Sequence, residues 1–138
     1  MEKTLILIKP DAVERGFNGE IIARFEREGL KLVALKMIHL SKEMASKHYA
    51  VHKGKSFYDG LVEYISSAPI VAMVFEGDKA IDSARKIMGA TDPAKAEKGT
   101  IRGDFGLDIG RNSVHGSDGP QTAETEIKLF FGGFEILD

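Results

Sequence analysis

The stretch Thr4-Leu5-Ile6-Leu7-Ile8, close to the start of the chain, decides the fold because it is apolar from Leu5 onward and does not alternate. A strand has this pattern when other layers cover both of its faces, whereas a strand with one face in water alternates apolar and polar residues. Pro10 ends the run, since proline has no N–H to give to a neighbouring strand. A second uninterrupted apolar run lies at Ile70 to Phe75. The sequence therefore predicts two buried strands, the first of them central in its sheet.

Amphipathic patterns with helical spacing flank these two runs. They predict helices over residues 18–29, 41–52, 57–65 and 78–88. Asn18 and Ser41 are predicted N-caps, because their short polar side chains can accept a hydrogen bond from the first free backbone N–H groups. Gly29 and Gly89 are predicted to end helices, because glycine adopts the left-handed backbone conformation without strain.

Two further strands are predicted at residues 31–40 and at Ile127–Phe131. The order of elements is then βαβ, helices, βαβ, which is typical of the ferredoxin-like, split βαβ fold of the α+β (α/β) class. In that fold a four-stranded antiparallel sheet has its main helices packed on one face. The length of 138 residues suits one domain spanning residues 1–138.

Composition excludes several classes of function. The chain has 19 basic and 21 acidic residues and a net charge of −2, so no overall field attracts nucleic acid or an anionic membrane. It has no cysteine, which excludes disulfides, thiolate metal sites and thiol nucleophiles. The apolar run at the start is too short for a signal peptide or a membrane span. We expect a cytoplasmic protein with neither a membrane partner nor a dedicated nucleic-acid surface.

A long interval between Gly89 and Ile127 carries no clear element, although it exceeds thirty residues. Loops of this length in compact domains are usually functional. Its most informative residue is His115, because the neighbouring Gly116 has no side chain that would crowd the imidazole ring. A neutral imidazole is nucleophilic at neutral pH and is a good leaving group once phosphorylated. The segment is therefore a predicted active-site loop.

A carboxylate such as Glu126, just beyond the loop, could fix one nitrogen of the His115 ring as N–H and leave the other lone pair free. The alternative for an isolated loop histidine is an exposed or hydrogen-bonded bystander. Arginines on helices are likewise most often solvated, and Phe57 lies on an apolar helical face where core packing is the simpler interpretation.

Five segments resemble motifs of nucleoside diphosphate kinases, and they occur in that family's order along the whole chain. Asn112 to Asp118 is similar to the family's active-site signature, and Lys9-Pro10-Asp11 to its first-strand motif. The others are similar to its substrate-clamp helices, its central loop motif and its glutamate segment, at Tyr49 to Phe57, Gly99 to Phe105 and Ala123 to Ile127.

This resemblance implies an enzyme that moves the terminal phosphoryl group of a nucleoside triphosphate to a nucleoside diphosphate by a ping-pong mechanism. It implies His115 as the phosphorylated nucleophile, Glu126 as the residue that orients its ring, and Phe57 as a base-stacking platform with little base specificity. The residues implied to hold sugar and phosphates are Lys9, Tyr49, Arg85, Thr91, Arg102 and Asn112. Mg²⁺ would arrive on the nucleotide phosphates, with no ion held by the protein. The resemblance also implies a homo-oligomer, either tetrameric or hexameric.

Three other functions share parts of this pattern: RNA binding, phosphoryl carriage by a histidine and zinc binding. A ferredoxin-like RNA-binding module would show closely spaced exposed aromatics, and Gly103-Asp104-Phe105 is a poor match to such a motif. A histidine phosphocarrier would share His115 without needing a base platform. His48 and His52 have the spacing of a helical zinc site, but the sequence shows no third ligand beside them, so a helix pair without metal is expected.

Overall fold

The computed structural model describes residues 1–138 and contains four strands and seven α-helices. The strands are β1 (Glu2–Ile8), β2 (Lys31–Ile38), β3 (Ile70–Gly77) and β4 (Val114–Gly116). The helices are α1 (Pro10–Glu14), α2 (Asn18–Arg27), α3 (Lys42–His48), α4 (Tyr58–Ile65), α5 (Ala80–Met88), α6 (Ile101–Phe105) and α7 (Pro120–Phe130). Short 3-10 turns lie at Ala50–His52, Pro93–Lys95 and Gly133–Glu135. No helix combines the length and the apolar content that crossing a membrane requires.

The strands form one antiparallel sheet in the order β2-β3-β1-β4. β1 pairs with β3 along its whole length, from Glu2 opposite Gly77 to Ile8 opposite Val71, and it pairs with β4 on its other side. β2 pairs antiparallel with β3, so β1 and β2 run in the same direction with β3 inserted between them. This is the split βαβ arrangement, and the predicted ferredoxin-like fold is confirmed.

The central strand is fully buried, and its alternate residues enter different cores. Leu5 and Leu7 pack in a cluster with residues of α3, α4 and α7, whereas Ile6 and Ile8 pack in a second cluster with residues of α2 and α5. Helices therefore cover both faces of the sheet. The expectation placed the main helices on one face of the sheet, and α2 and α5 do share a face. The helices α3, α4 and α7 cover the other face, because an uninterrupted apolar strand needs a covering layer on each side.

The predicted fourth strand at Ile127–Phe131 is wrong, because these residues lie at the end of α7 and just beyond it. A short apolar run cannot by itself be distinguished from a helix segment. Ala123, Ile127 and Phe130 recur at helical spacing and pack together on the sheet. The true fourth strand, β4, has only three residues, which is too short for a pattern of its own.

Two of the predicted helix boundaries depend on specific side chains or on backbone geometry. Ser41 caps α3 by accepting a hydrogen bond from the Met44 N–H at 3.1 Å, as predicted. Gly89 follows α5 with a φ of 84°, a conformation that favours glycine. Asn18 is not a cap, since Phe17 occupies that position and Asn18 is the first helical residue.

Candidate active site

A cleft of about 520 Å³ lies where β1 and β4 end, between the 3-10 turn after α3 and the loop that follows α5. It is lined by eight of the nine predicted site residues, namely Lys9, Tyr49, Arg85, Thr91, Arg102, Asn112, His115 and Glu126. Phe57 is the exception. A second concavity of about 600 Å³, between α2, α5 and α6, is lined mostly by charged side chains and contains none of the predicted site residues.

His115 lies in β4 opposite Leu7 of the central strand, so the sheet fixes its backbone. Its Nε2 is 3.0 Å from Oε2 of Glu126, a buried residue of α7. Since a carboxylate only accepts, Nε2 carries the proton and Nδ1 retains its lone pair. The side chain is 21% exposed, which leaves the ring accessible from the cleft.

Glu126 is held by a second residue as well. The Ser117 hydroxyl donates to Oε1 of Glu126 at 2.7 Å and accepts a hydrogen bond from the Leu5 N–H at 3.2 Å. Burial acts to raise the pKa of Glu126, but the hydrogen bonds from His115 and Ser117 lower it, and the net effect is a lowered pKa. The carboxylate is therefore ionised while it orients the His115 ring.

Lys9 and Asn112 form a buried pair on the same cleft. The Lys9 ammonium donates to Oδ1 of Asn112 at 2.8 Å, and the Asn112 amide donates to the Thr91 carbonyl oxygen at 2.9 Å. Burial, followed by the charge of Arg102, lowers the pKa of Lys9 to about 8. Lys9 therefore joins the end of β1 to the loop after α5 through Asn112.

The two arginines of the cleft differ in their surroundings. Arg102 is buried, and its guanidinium donates to the carbonyl oxygens of Gly89 at 3.0 Å and Val114 at 2.9 Å. Burial, followed by the charge of Arg85, lowers the pKa of Arg102 to about 10. Arg85 is partly exposed and donates to Oδ1 of Asp118 at 2.7 Å. Arg102 is thus a fixed positive charge, whereas Arg85 is held by a solvent-exposed ion pair.

The aromatic residues also divide between the floor and the rim. Tyr49 is buried, and burial, followed by the charge of Glu126, raises its pKa to about 12. Phe57 is 50% exposed and is outside the lining of the cleft. Its ring centroid is 5.3 Å from that of His52, which does line the cleft. Phe57 is therefore not a core residue, and the Lys55 ammonium lies over its ring, 5.7 Å from the centroid.

Residues 2–136 match the family model described as nucleoside diphosphate kinase. This chain belongs to the nucleoside diphosphate kinase family. A relative from Pelotomaculum thermopropionicum is 59% identical over 100% of this chain and 93% of its own length. A relative from Archaeoglobus fulgidus is 58% identical over 100% of this chain and 91% of its own length. Both are named nucleoside diphosphate kinase.

Solved structures of the family have the same fold. The nucleoside diphosphate kinase of Aquifex aeolicus superposes with a TM-score of 0.96 at 46% identity, with 99% of each chain covered. The nucleoside diphosphate kinase of Halobacterium salinarum, solved in complex with CDP, superposes with a TM-score of 0.96 at 48% identity. The match covers 99% of this chain and 91% of the other. The predicted activity is confirmed: the nucleoside diphosphate kinase transfers a terminal phosphoryl group between nucleotides by a ping-pong mechanism through a phosphohistidine.

Sequence reasoning assigned no role to the residues that hold β4 in this kinase. Ser113 has a φ of 75°, and its N–H donates to Oδ2 of the buried Asp11 at 3.1 Å. The Tyr64 hydroxyl donates to Oδ1 of Asp11 at 2.8 Å and accepts from the Asp11 N–H at 2.9 Å. Asp11 belongs to the Lys9-Pro10-Asp11 segment, but no local pattern indicates its contact with Tyr64, since 53 residues separate the two in sequence.

The position of His48 beside His115 is also not indicated by the sequence, which pairs His48 only with His52. His48 is buried under the cleft, 4.6 Å from the His115 ring between centroids, and neither of its ring nitrogens has a hydrogen-bond partner. Burial lowers the pKa of His48 to about 3, so it is neutral. The expectation that His48 and His52 form a pair without metal stays a prediction. Ligating atoms of His48, His115 and Glu126 all lie within 4.8 Å of one another.

Proposed function

We propose that His115 is the residue that carries the phosphoryl group, and that Nδ1 is the atom that attacks phosphorus. The hydrogen bond between Nε2 and Glu126 supports this assignment, because it keeps the proton on Nε2 and leaves the Nδ1 lone pair available. Of the chain's 4 histidines, His39 lies away from the cleft and His52 lies at its rim. The fourth, His48, is buried.

No proton needs to leave the site during the phosphoryl transfer. The Nδ1 lone pair of His115 forms a bond to the terminal phosphorus, and the bond from that phosphorus to the bridging oxygen breaks. The nucleoside diphosphate departs with the electron pair. The ring then carries phosphorus on Nδ1, hydrogen on Nε2 and a positive charge, which the ionised Glu126 stabilises. A terminal oxygen of a second nucleoside diphosphate reverses the step.

The cations of the cleft would stabilise the negative charge of the nucleotide phosphates. Arg85 and Arg102 offer guanidinium donors to phosphate oxygens, and such charge-assisted hydrogen bonds each contribute roughly 1.5 to 3 kcal/mol. Thr91 adds a hydroxyl. Lys9 and Asn112 are hydrogen-bonded to each other at 2.8 Å, so both can reach one ribose hydroxyl or phosphate oxygen.

Tyr49 closes the cleft beside the nucleophile, and Phe57 offers a stacking face to the base. Tyr49 lines the cleft and is buried, so it would fix the position of a bound sugar rather than exchange protons. Phe57 has half of its surface exposed next to the entrance. Stacking contributes about 1 to 3 kcal/mol for any base, which is why this platform would not select one base.

Magnesium would accompany the nucleotide. The cleft offers the positive side chains of Lys9, Arg85 and Arg102, whereas Glu126 already accepts hydrogen bonds from His115 and Ser117. Mg²⁺ requires several oxygen ligands in octahedral geometry, so this donor set fits an ion coordinated by nucleotide phosphates rather than by the protein. Bound there, Mg²⁺ would neutralise phosphate charge.

The chain would work as one catalytic domain of residues 1–138 in the cytoplasm, where nucleotides and a reducing environment occur. The absence of cysteine is compatible with that compartment. It would assemble into a tetramer or hexamer. Support for assembly comes from β2, an edge strand on which Leu35 is 51% and Met37 59% exposed.

Labelling tests the assignment of His115. Incubation with terminally labelled ATP and Mg²⁺, without acceptor, should leave label on the protein that is lost in acid and kept in alkali, as a phosphoramidate requires. Any nucleoside diphosphate should discharge it. His115→Ala should abolish labelling, and Glu126→Ala should slow it by about 10² to 10⁴ because the ring is misoriented. His39→Ala is the matched control. Acid-stable label, or full labelling of His115→Ala, would place the chemistry on another residue.

A further inference from the structure

We propose that His48, His115 and Glu126 form a binding site for one Zn²⁺ or a similar transition-metal cation, and that occupation of this site inhibits the kinase. The proposed ligands are a ring nitrogen of His48, Nε2 of His115 and Oε2 of Glu126. The site is distinct from the binding of Mg²⁺ with the nucleotide, and it revises the expectation that the protein itself holds no ion. Its inhibitory consequence, but not the binding, rests on the proposed role of His115.

Distances within the group suit a tetrahedral ion. Oε2 of Glu126 is 3.0 Å from Nε2 of His115 and 3.8 Å from Nδ1 of His48. Zinc binds nitrogen and oxygen at about 2.0 to 2.2 Å, so tetrahedral ligand atoms lie about 3.3 to 3.6 Å apart. The three ligand atoms are within 4.8 Å of one another, so side-chain adjustments of about an ångström would complete the geometry. The cleft would supply water as the fourth ligand.

His48 provides the independent observation. Its side chain is only 1% exposed, yet neither ring nitrogen has a hydrogen-bond partner. An unpaired buried polar group is destabilising and rare in folded proteins, so one beside two other potential ligands points to a missing partner. A buried neutral imidazole presents a lone pair to a metal and carries no charge that would repel it.

The carboxylate is prepared for a metal by its other contacts. Ser117 donates to Oε1 of Glu126 at 2.7 Å, which fixes the carboxylate and leaves Oε2 directed at both histidines. Such outer hydrogen bonds orient ligands in metal sites. Lys9, a cation on the same cleft, directs its ammonium to Asn112 at 2.8 Å. The single carboxylate of Glu126 would neutralise half of the charge of a divalent ion.

The ligand set also selects the metal. Two imidazole nitrogens and one carboxylate oxygen suit Zn²⁺ and Cu²⁺, whereas Mg²⁺ strongly prefers six oxygen ligands. Magnesium at the concentrations used for catalysis should therefore not occupy this site. A site of this composition in the same cleft as the nucleotide would respond to transition metals without responding to the substrate's own cation.

Inhibition follows from the tautomer of His115. A metal on Nε2 takes the place of the proton that Nε2 donates to Glu126. In a neutral ring that proton moves to Nδ1, and the lone pair that attacks phosphorus is lost. The metal therefore inactivates the nucleophile even if the nucleotide still binds.

Equilibrium dialysis of the metal-free, nucleotide-free protein against ZnCl₂ tests the binding. We expect one zinc per chain in the wild type. His48→Gln and Glu126→Gln should each bind at least about tenfold more weakly, because each loses a ligand. His52→Gln, a histidine four positions away on the same cleft, should bind like the wild type. Circular dichroism checks the fold of each variant, and Glu126→Gln decides the matter if His48→Gln does not fold. Wild-type affinity in a folded His48→Gln or Glu126→Gln protein would overturn the site.

Labelling then tests the consequence. Protein loaded with one equivalent of zinc is desalted to remove free metal, which would otherwise bind ATP, and is mixed with labelled ATP and excess Mg²⁺. We expect labelling at least about tenfold slower than that of metal-free protein, restored by a zinc-selective chelator. His52→Gln keeps the three proposed ligands, so zinc should slow its labelling as much as that of the wild type. Equal labelling of the loaded and metal-free proteins would overturn the inhibition. Absence of label in the metal-free protein would instead contradict the role of His115 and leave the dialysis result standing.

Discussion

Lys9 shows how burial of one residue shapes the pH dependence of the enzyme. Its pKa is lowered to about 8, first by burial and then by the charge of Arg102. The ammonium is charged below that pH and neutral above it, so the cleft loses one positive charge as the pH rises. We expect kcat/KM to fall on the alkaline side with an apparent pKa near 8. The same limb of kcat should lie at higher pH, because bound phosphates favour the ammonium.

A pH–rate profile of the wild type beside Lys9→Arg checks this prediction. Arginine remains charged throughout the accessible range, so the alkaline limb should disappear even if the rate is lower at every pH. An unchanged limb in Lys9→Arg would assign the titration to another group.

Phe57 is a single half-exposed side chain whose proposed role is to stack on the nucleotide base. Phe57→Ala should raise KM by roughly tenfold or more, with little change in kcat, because stacking acts equally in the ground and transition states. Purine and pyrimidine substrates should differ in kcat/KM by no more than about tenfold in the wild type. Steady-state kinetics with several nucleoside diphosphates measures both. Phe134→Ala, at a side chain 87% exposed outside the cleft, is the control. A loss confined to kcat would contradict the stacking role.

At the scale of elements, the three-residue strand β4 depends on contacts made by other parts of the chain. The Lys9 N–H donates to the Ser113 carbonyl oxygen at 2.9 Å, and Asp11 accepts from the Ser113 N–H. Tyr64, at the end of α4, holds Asp11 from the other side. The nucleophile is thus positioned by a network that joins β1, α1 and α4 to the active-site loop.

Tyr64→Phe tests this network without touching the cleft. It leaves Oδ1 and the N–H of Asp11 without their partner, so we expect a loss of about 1 to 3 kcal/mol in the free energy of unfolding. Tyr58→Phe is matched, because the Tyr58 hydroxyl makes no hydrogen bond within the chain, and it should change stability by less than about 0.5 kcal/mol. Urea denaturation measures both. Equal stability of the two variants would show that the Asp11 contacts do not hold β4.

At the scale of the whole molecule, the sheet has the three-residue strand β4 at one edge and β2 at the other. The C-terminal segment contacts the β2 edge through a backbone hydrogen bond, from the Leu137 N–H to the Val33 carbonyl oxygen at 2.8 Å, and through the ion pair of Glu135 with Lys36 at 3.2 Å. Beyond it, Leu35 and Met37 are half-exposed apolar side chains. An unpaired edge of this kind favours association with another strand.

We expect β2 to take part in assembly of the kinase. Multi-angle light scattering should give a mass of several chains for the wild type, and Leu35→Lys with Met37→Lys should lower it, because two charges would be placed in the contact. Val51→Lys, at a side chain 79% exposed beside the cleft, should leave the mass unchanged. A monomeric wild type at working concentration would contradict the oligomer, and an unchanged mass in the double variant would move the contact elsewhere.

The sequence by itself determined the features that local chemistry encodes. β1 and β3 follow from apolar runs that have no polar face, and the cap of α3 follows from Ser41. The roles of His115 and the other site residues are what the family resemblance implies, and eight of these nine residues line one cleft. The predictions of the two strands and of the cap are confirmed because a strand buried on both faces, or a capped helix, has a pattern that is complete within a few residues.

The tertiary structure alone decided the rest. β4 is a strand because β1 lies beside it, over 100 residues away in sequence, and its three residues carry no signal of their own. Glu126 is placed over His115 by α7, the last part of which, from Ile127 onward, the pattern indicated as a strand. His48 faces the same carboxylate only because α3 and α7 pack against one sheet. Such contacts depend on which distant elements share a core, and that is set by the packing of the whole chain rather than by any segment.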